Sequence, residues 1–239
     1  LREWVDEVYI YLPEGRCAGT PKPEEFISSC LDMGVTVHTY LAETLGINGE
    51  KQLVERIGKY TVLTTSMNIA TPLQALIKRT MDIIGGLVGC LLTGLILLII
   101  GPIIHRQSPG PVIFRQQRIG KNGKRFICYK IRSMYLDAEE RKKEFLKDNR
   151  VSSGMMFKLT WDPRIIGNRQ LPDGTKKTGI GEFIRRTSLD EFPQFFNVLK
   201  GDMSLVGTRP PTIDEWEKYE TRHRARLAMK PGITGLWQI

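Results

Sequence analysis

The segment Ile83–Ile104, IIGGLVGCLLTGLILLIIGPII, decides the fold, because its 22 residues include no charged side chain. A helix of about 20 apolar residues matches the thickness of the hydrocarbon layer of a membrane. The segment is internal and has no cleavage-type flank, which argues against a signal peptide. Its length also makes the core helix of a soluble domain the weakest interpretation. We therefore expect this segment to enter a membrane.

Two features leave the path of this segment open. Gly101-Pro102 lies near its end, where proline removes a backbone donor and bends a helix. Basic residues flank both sides, with Lys78 and Arg79 before the segment and Arg106 after it. Positive flanks favour the cytoplasmic side of a membrane. Either an ordinary span or a re-entrant helix that breaks at Gly101-Pro102 is compatible with the residues alone.

The residues before the apolar segment have an α/β pattern. Alternation predicts a strand over Val5–Pro13, and a first-turn proline with a final glycine predicts a helix over Pro23–Gly34. Two more strands are expected at 35–41 and 60–66, with a helical stretch around Lys51–Ile57 between them. This order is typical of the end of an open α/β sheet. No phosphate-binding loop occurs here, so a structural or regulatory role is favoured.

The residues after the apolar segment predict a mixture of short strands and helices. A hairpin is expected from two β-rich runs around KNGK at 121–124, where Asn-Gly favours a tight turn. Helices are expected at 136–148, 183–201 and 212–232, the last being amphipathic and basic. This half is thus expected to be a mainly α, α+β domain.

Composition excludes several classes of site. The formal net charge is +9 and is concentrated beyond about residue 70, which suits an anionic partner such as nucleic acid, anionic lipid or a phosphorylated substrate. The four cysteines form no CxxC pair and the three histidines are isolated, which argues against a disulfide framework and a zinc site. No nucleic-acid motif accompanies the basic residues, so nucleic acid is not an expected partner.

Adjacent acids, Asp190-Glu191, follow two arginines in RRTSLDEFPQFFNVLKG (185–201). Ser188 and Glu191 fit a capping box, and Asp190 is an alternative cap. The competing interpretation is chemical, because Arg185 before the acids and Arg209 after them suit bidentate binding of phosphate. Carboxylates beside such arginines are suitable Mg²⁺ ligands, since Mg²⁺ combines one or two carboxylates with substrate phosphates.

The chain resembles the bacterial sugar transferase family, the polyprenyl-phosphate hexose-1-phosphate transferases of the long, capsule-initiating type. The resemblance spans 78–239 and rests on four segments in order: KRTMDIIGG, SPGPVIFRQQRIGKNGKRFICYKIRSM, RRTSLDEFPQFFNVLKGDMSLVGTRP and KPGITGLWQ. It implies transfer of hexose 1-phosphate from a UDP-sugar, with UDP-glucose or UDP-galactose favoured, to undecaprenyl phosphate. UMP would be released and Mg²⁺ required, as the first membrane step of capsule or exopolysaccharide synthesis.

The resemblance also implies roles for individual residues. Asp190 corresponds to the nucleophile that forms an aspartyl-phosphosugar, and Glu191 to the Mg²⁺-binding partner. Arg209 in GTRPP corresponds to a phosphate-binding arginine, with Thr208 where proline is usual, and Arg185 to a basic residue before the acids. The family's membrane helix is re-entrant with a Ser-Pro break, for which Gly101-Pro102 stands here without the serine hydroxyl.

The expected organisation follows from this resemblance. A partial Rossmann-like domain would occupy 1–70, a lead-in and re-entrant helix 71–106, and a monotopic membrane catalytic domain 107–239. Long members have four further membrane helices before this region and continue beyond GITGLWQ, so the chain is expected to be a fragment lacking both ends. The protein would lie at the bacterial inner membrane facing the cytoplasm, and it could form a homodimer. The alternative function is a membrane-anchored basic protein that binds anionic lipid or nucleic acid.

Overall fold

The computed structural model describes residues 5–10, 23–40, 51–66, 71–141, 159 and 161–235. It is a mixed α/β structure with one long apolar helix. Its helices are α1 (Pro23–Asp32), α2 (Pro72–Gln107), α3 (Ala138–Arg141), α4 (Ile180–Arg186), α5 (Gln194–Lys200), α6 (Ile213–Glu217) and α7 (Thr221–Arg224). Its strands are β1 (Glu7–Ile10), β2 (Thr36–Tyr40), β3 (Lys51–Ile57), β4 (Tyr60–Ser66), β5 (Ile113–Ile119), β6 (Arg125–Ile131), β7 (Arg169–Gln170), β8 (Lys176–Lys177), β9 (Ser204–Val206) and β10 (Gly232–Thr234).

The N-terminal strands form a four-stranded sheet in the order β1-β2-β4-β3. β1 and β2 are parallel with Val8 opposite Val37, and helix α1 connects them. α1 covers the sheet with Ile27, Cys30 and Leu31, which are buried together with Val37. The expected α/β pattern is therefore present in the described residues, whereas the Rossmann-like assignment stays a prediction. The predicted end of the first strand, beyond Ile10, lies outside the described residues.

The helix predicted around Lys51–Ile57 is wrong, because these residues form strand β3. β3 pairs antiparallel with β4 along its full length, from Lys51 opposite Ser66 to Ile57 opposite Tyr60. Gly58 has a φ of 61°, which lets the chain reverse in a tight turn between the two strands. Hairpin pairing thus overrides a sequence whose Lys, Gln and Glu residues favour a helix locally.

Helix α2 has 36 residues and continues through Pro102 to Gln107. It is the one helix among the described residues that is long and apolar enough to cross a membrane. Many of its large apolar side chains are exposed, including Leu91 at 69%, Leu98 at 74% and Ile99 at 70%. Exposed apolar side chains over several turns are typical of a helix that contacts lipid. Gly101 is buried and Pro102 is exposed, but the helix assignment is unbroken there, so the re-entrant path stays a prediction.

The predicted hairpin is confirmed, since β5 and β6 form a two-stranded sheet. A short 3-10 turn, Lys121–Gly123, connects them, and Asn122 and Gly123 both have left-handed backbone conformations. The later helices are shorter than predicted. The 183–201 region divides into α4, a 3-10 turn and α5, and the 212–232 region divides into α6, α7 and a second 3-10 turn. Of the charged helix predicted at 136–148, only α3 lies within the described residues, and 142–148 lie outside them.

The chain divides into two compact units, and neither is a continuous segment. Unit 1 consists of 1–81, 118–126 and 202–239, and unit 2 of 82–117 and 127–201. In unit 1 the N-terminal sheet and the C-terminal segment pack together, and Gly34 lies against Ala228 so closely that a Cβ at Gly34 would come within 2.8 Å of the Ala228 Cβ. Lys78 also donates to Ser204 Oγ at 2.6 Å within this unit. The predicted domain boundaries stay a prediction.

The core of unit 2 is a cluster of buried isoleucines. It joins the last turns of α2 to β6 and α4 through Ile100, Ile104, Ile131, Ile166 and Ile184. Leu189, directly before the two acids, packs against the same cluster. The apolar helix is therefore fixed to the same core that holds the acidic turn, and this packing positions the site described next.

Candidate active site

The two acids lie in the 3-10 turn Leu189–Glu191, between α4 and α5. Ser188 begins this turn with a φ of 57°, a left-handed conformation that is uncommon outside glycine and asparagine. Its side chain makes no capping hydrogen bond, so the capping-box interpretation is wrong. Asp190 is not a cap either, because α5 begins at Gln194 with Pro193 at the cap position. The acids are thus presented by a turn that no capping role explains.

Glu191 is paired with a lysine from strand β6. The Lys130 Nζ atom donates to Glu191 Oε1 at 2.7 Å, and the two side chains are 24% and 36% exposed. A half-buried pair with this short distance is better defined than a solvated surface pair. Lys130 therefore fixes the direction of the Glu191 carboxylate, and it was not among the predicted site residues.

Asp190 is half-buried beside this pair. Burial raises the pKa of its carboxyl above the ordinary value, and the positive charge of Lys130 opposes that rise. The negative charge of Glu191 adds to the rise, and Arg185 opposes it. Arg185, in the last turn of α4, therefore acts electrostatically on Asp190 within the same unit. The structure brings three predicted residues, Arg185, Asp190 and Glu191, into one charged group with Lys130.

A buried asparagine connects the strand that carries Lys130 to the helix that follows the acids. Asn197 in α5 is fully buried, and its Nδ2 donates to the Ile127 carbonyl at 2.6 Å. Its Oδ1 accepts from the Tyr129 amide at 3.2 Å. Both contacts are to the backbone of β6, at the third residue and the first residue before Lys130. Asn197 therefore holds the two sides of the site in register, although its sequence context carries no sign of this role.

Helix α2 packs closely beneath the acidic turn. Gly89 faces the ring of Phe195, and a Cβ at that position would overlap the ring atoms. The Thr93 hydroxyl lies 2.7 Å from the Gly89 carbonyl and 3.0 Å from the Phe192 carbonyl, so it can donate to either oxygen. Phe192 directly follows Glu191. Helix α2 therefore contacts the residues that follow the acidic turn in two ways: Gly89 lets the Phe195 ring approach closely, and the Thr93 hydroxyl reaches the Phe192 carbonyl.

Arg209, the fourth predicted site residue, belongs to unit 1. Its Nη2 lies 3.7 Å from Glu215 Oε1, and its side chain is 37% exposed. Glu215 also completes a capping box with Thr212 at the start of α6. Within unit 1, Arg209 thus forms a loose ion pair with Glu215, whose carboxylate also caps helix α6. Gly101 and Pro102, the predicted helix break, lie in α2 between Ile100 and Ile104, two residues of the unit 2 core.

The carboxylates of Asp190 and Glu191 are a donor set that fits Mg²⁺. Mg²⁺ is usually held by one or two protein carboxylates, with waters and substrate phosphate oxygens as the other ligands. Lys130 engages one oxygen of Glu191, which leaves the second oxygen as a donor. Among the described residues no group of three or more His, Cys, Asp or Glu side chains converges, so an all-protein metal cage is absent there.

Comparison with known proteins identifies the family. Residues 73–239 match the bacterial sugar transferase family. A galactosyl transferase, CpsE, from Streptococcus agalactiae is 46% identical over 237 residues, which cover 98% of this chain and 49% of that protein. An undecaprenyl-phosphate galactose phosphotransferase from Salmonella typhimurium is 41% identical over 181 residues, 74% of this chain and 35% of that protein. An exopolysaccharide production protein, ExoY, from Sinorhizobium fredii is 34% identical over 169 residues, 70% of each chain.

The family match begins in the first turn of α2 and includes the acidic turn, Lys130 and Arg209. The chain spans about half the length of CpsE and about a third of the Salmonella protein. The predicted resemblance is confirmed by the match over 73–239 and by these identities. The chain belongs to the bacterial sugar transferase family.

Proposed function

We propose that this protein transfers hexose 1-phosphate from a UDP-sugar to undecaprenyl phosphate and releases UMP, as the first membrane step of capsule or exopolysaccharide synthesis. The observation that carries the proposal is the position of Asp190. Its half-buried carboxyl stands beside the Lys130–Glu191 ion pair and in the field of Arg185. A carboxylate among cations is suited to attack a phosphorus atom whose oxygens those cations can bind.

The reaction would proceed in two displacements. In the first, an Asp190 oxygen forms a bond to the sugar-bearing phosphorus of the donor, and the bond from that phosphorus to the UMP oxygen breaks. UMP leaves with the bonding electron pair. In the second, a phosphate oxygen of undecaprenyl phosphate attacks the same phosphorus and displaces Asp190, which regenerates the carboxylate. The covalent aspartyl-phosphosugar separates the two substrates in time, so one phosphate-binding site serves both steps.

The surrounding residues have separate roles in this scheme. Arg185 attracts and orients phosphate oxygens, and Arg209 is proposed as a second phosphate-binding arginine. Lys130 directs Glu191 and favours the ionised, nucleophilic form of Asp190 by lowering its pKa against the effect of burial. Glu191 is proposed to hold Mg²⁺ together with substrate phosphate, and the bound ion would neutralise negative charge on the departing UMP.

The proposed location is the cytoplasmic face of the bacterial inner membrane, with α2 as a re-entrant helix that breaks at Gly101-Pro102. Support comes from the exposed apolar side chains of α2 and the basic residues at both of its ends. Both flanks on the cytoplasmic side satisfy the preference of basic residues for that side. A homodimer stays a prediction. UDP-galactose and UDP-glucose are the proposed donors, and the names of two relatives make UDP-galactose the first to examine.

The test measures UMP release by the complete protein in native lipid, with undecaprenyl phosphate, Mg²⁺ and a panel of UDP-galactose, UDP-glucose and UDP-N-acetylgalactosamine. We expect release with one donor, dependent on Mg²⁺, and its loss in Asp190→Asn. Donor labelled in the sugar should also leave label on the wild-type protein when the lipid is omitted, and none on Asp190→Asn. Undiminished release by Asp190→Asn would contradict the covalent mechanism. Absence of release with every donor would favour the anionic-lipid-binding alternative.

A further inference from the structure

We propose that a cavity beside Trp161 in unit 2 binds the nucleoside part of the nucleotide-sugar donor, with Arg141 and Arg169 contacting its phosphates. This inference rests on the proposed function and specifies where the donor is recognised. The cavity has a volume of about 490 Å³. That volume is within the range of about 300–1,000 Å³ found for small-molecule pockets.

The walls of the cavity have the chemistry of a nucleotide site. The described residues that line it are Tyr135, Arg141, Trp161, Pro163, Asn168, Arg169 and Gln170, a set with two arginines and no carboxylate. Indole is a platform on which a base can stack, and the guanidinium groups suit phosphate oxygens. The ammonium of Lys176 lies 5.3 Å from the centre of the Trp161 ring and adds a third positive charge. Together these residues favour a ligand that is flat at one end and anionic at the other.

Two residues that line the cavity have polar groups with weak or missing hydrogen bonds within the described part of the chain. The Trp161 Nε1–H is buried and has no hydrogen-bond partner among the described residues, which is a costly arrangement for a donor. The Gln170 amide makes only a long contact of 3.5 Å to the Gly174 carbonyl. An amide offers both donors and an acceptor, as does the edge of a uracil base. The Gln170 amide therefore has the hydrogen-bonding groups that a uracil edge requires.

Hydrogen bonds fix the part of the cavity wall that adjoins helix α4. Asp162 accepts from the Arg164 side chain at 2.7 and 2.9 Å, and its carbonyl accepts from Asn168 Nδ2 at 2.9 Å. Asn168 Oδ1 in turn accepts from the Gly179 amide at 2.8 Å, directly before α4. Asn168, which lines the cavity, is thus connected to the helix whose last turn carries Arg185.

Helix α4 leads from the cavity wall at Asn168 to the segment that carries Asp190. Helix α4 has seven residues, which corresponds to a length of about 10 Å. Arg185, in the last turn of that helix, acts electrostatically on two carboxyls, those of Asp162 and Asp190. Burial alone would raise the pKa of Asp162, but Arg164, through hydrogen bonds and charge, and then the charge of Arg185 lower it below its ordinary value. Arg185 also acts on Asp190 from the last turn of α4, so its charge is available to the diphosphate of a donor whose base lies in the cavity.

Isothermal titration of UMP into the complete protein in detergent tests the inference without any turnover. We expect the Kd to rise about tenfold or more in Trp161→Leu, since stacking alone contributes that much to base binding. A similar rise is expected in Arg169→Gln, since a charged hydrogen bond to phosphate is lost. Trp161→Phe keeps a stacking ring and should stay within about threefold of wild type. Lys177→Gln is the matched control, because Lys177 pairs with Arg169 across the β7–β8 ladder and does not line the cavity. Thermal unfolding midpoints verify that each variant is folded.

Competition experiments identify the ligand chemistry. Uridine should compete with UMP, whereas inorganic phosphate and a short polyprenyl phosphate should not displace it at equal concentration. Equal UMP affinity in all variants would overturn the inference and leave the proposed function standing. Displacement by polyprenyl phosphate would also overturn it, by assigning the cavity to the lipid acceptor. UMP binding that depends on Trp161, without turnover of any UDP-sugar, would support the nucleotide site and contradict the proposed function.

Discussion

Lys130 and Glu191 form an ion pair of 2.7 Å between strand β6 and the acidic turn, although 61 positions separate them in the sequence. The pair places one positive charge next to two adjacent carboxylates. Without it, Asp190 and Glu191 would repel each other across a short, half-buried turn. The ionisation of Asp190 therefore depends on the correct packing of β6 against the helix that follows the acids.

Replacement of Lys130 should move the acidic limb of the pH–rate profile. Burial already raises the pKa of Asp190, and the charge of Lys130 lowers it, so Lys130→Gln should raise that pKa further. Since the carboxylate that is proposed to attack the donor must be ionised, the limb should move to higher pH. We expect kcat for UMP release at neutral pH to fall about ten- to hundredfold. Lys130→Arg keeps the charge and should retain the wild-type limb; an unmoved limb in Lys130→Gln would contradict this role.

Asp190→Asn should be inactive but more stable to heat. The pKa of Asp190 is raised in the folded protein, so the ionised form disfavours folding once the pH exceeds the ordinary carboxyl value. A neutral amide of the same shape removes that cost, and we expect the unfolding midpoint at pH 8 to rise by a few degrees. The difference should vanish in acid, where Asp190 is neutral in both states. Glu191→Gln loses the Lys130 contact and should show no rise, which makes it the matched comparison.

Two glycines of α2 should respond oppositely to alanine. A Cβ at Gly89 would overlap the Phe195 ring, whereas a Cβ at Gly94 would meet no atom within 4 Å. Gly89→Ala should therefore displace α5 and reduce both the unfolding midpoint and UMP release. Gly94→Ala should leave activity unchanged and stabilise the helix by about 0.5–1 kcal/mol, from propensity alone. Equal behaviour of the two variants would show that the close approach at Gly89 is unimportant.

Asn197→Ala should destabilise unit 2 more than its size suggests. The change leaves the Ile127 carbonyl and the Tyr129 amide without their side-chain partner. A buried group left unsatisfied costs about 1–3 kcal/mol. Chemical denaturation should therefore show a loss of this order for each group, with a fall in UMP release because Lys130 follows Tyr129. Phe196→Leu, at a neighbouring position that is 53% exposed, should have a small effect on both measurements.

Cysteine labelling of the two ends of α2 should distinguish the proposed re-entrant path from a span. We expect Leu73→Cys and Gln107→Cys, in a background without the native cysteines, to react only with reagent applied from the cytoplasmic side. Adding Pro102→Leu should favour a straight helix and expose one of the two positions to the periplasm, because proline bends helices. Ile99→Leu, at a position 70% exposed in the same helix, is the control. Labelling of opposite ends from opposite sides in the parent would contradict the re-entrant proposal.

Local sequence patterns correctly predicted those elements that depend only on residues close together in the sequence. The uncharged run at Ile83–Ile104 predicted the core of α2, and Asn122-Gly123 predicted the reversal between β5 and β6. β3 was missed because its helix-favouring residues become a strand only when β4 pairs with them. Contacts between distant segments are therefore the information that the local pattern lacks.

The same distinction applies to the site. Arg185, Asp190 and Glu191 lie within seven positions of one another, and the motif that contains them was identifiable without a structure. Lys130 and Asn197 were not identified, since their roles depend on the packing of β6 against α5. A lysine in an alternating strand and an asparagine in a helix are ordinary surface residues in a local view. Asn197 belongs to the candidate site because it is buried against β6, and Lys130 because it pairs with Glu191.

The contact of Gly34 with Ala228 has a consequence for the order of events during synthesis. Residues 1–81 and 202–239 belong to the same compact unit, but the 120 residues between positions 81 and 202 emerge from the ribosome in between, apart from the short 118–126 segment. At a translation rate of about 5–20 residues per second, the N-terminal sheet waits on the order of 10 s for its packing partner. The apolar helix leaves the ribosome during that interval, so its proposed entry into a membrane would begin before unit 1 is complete.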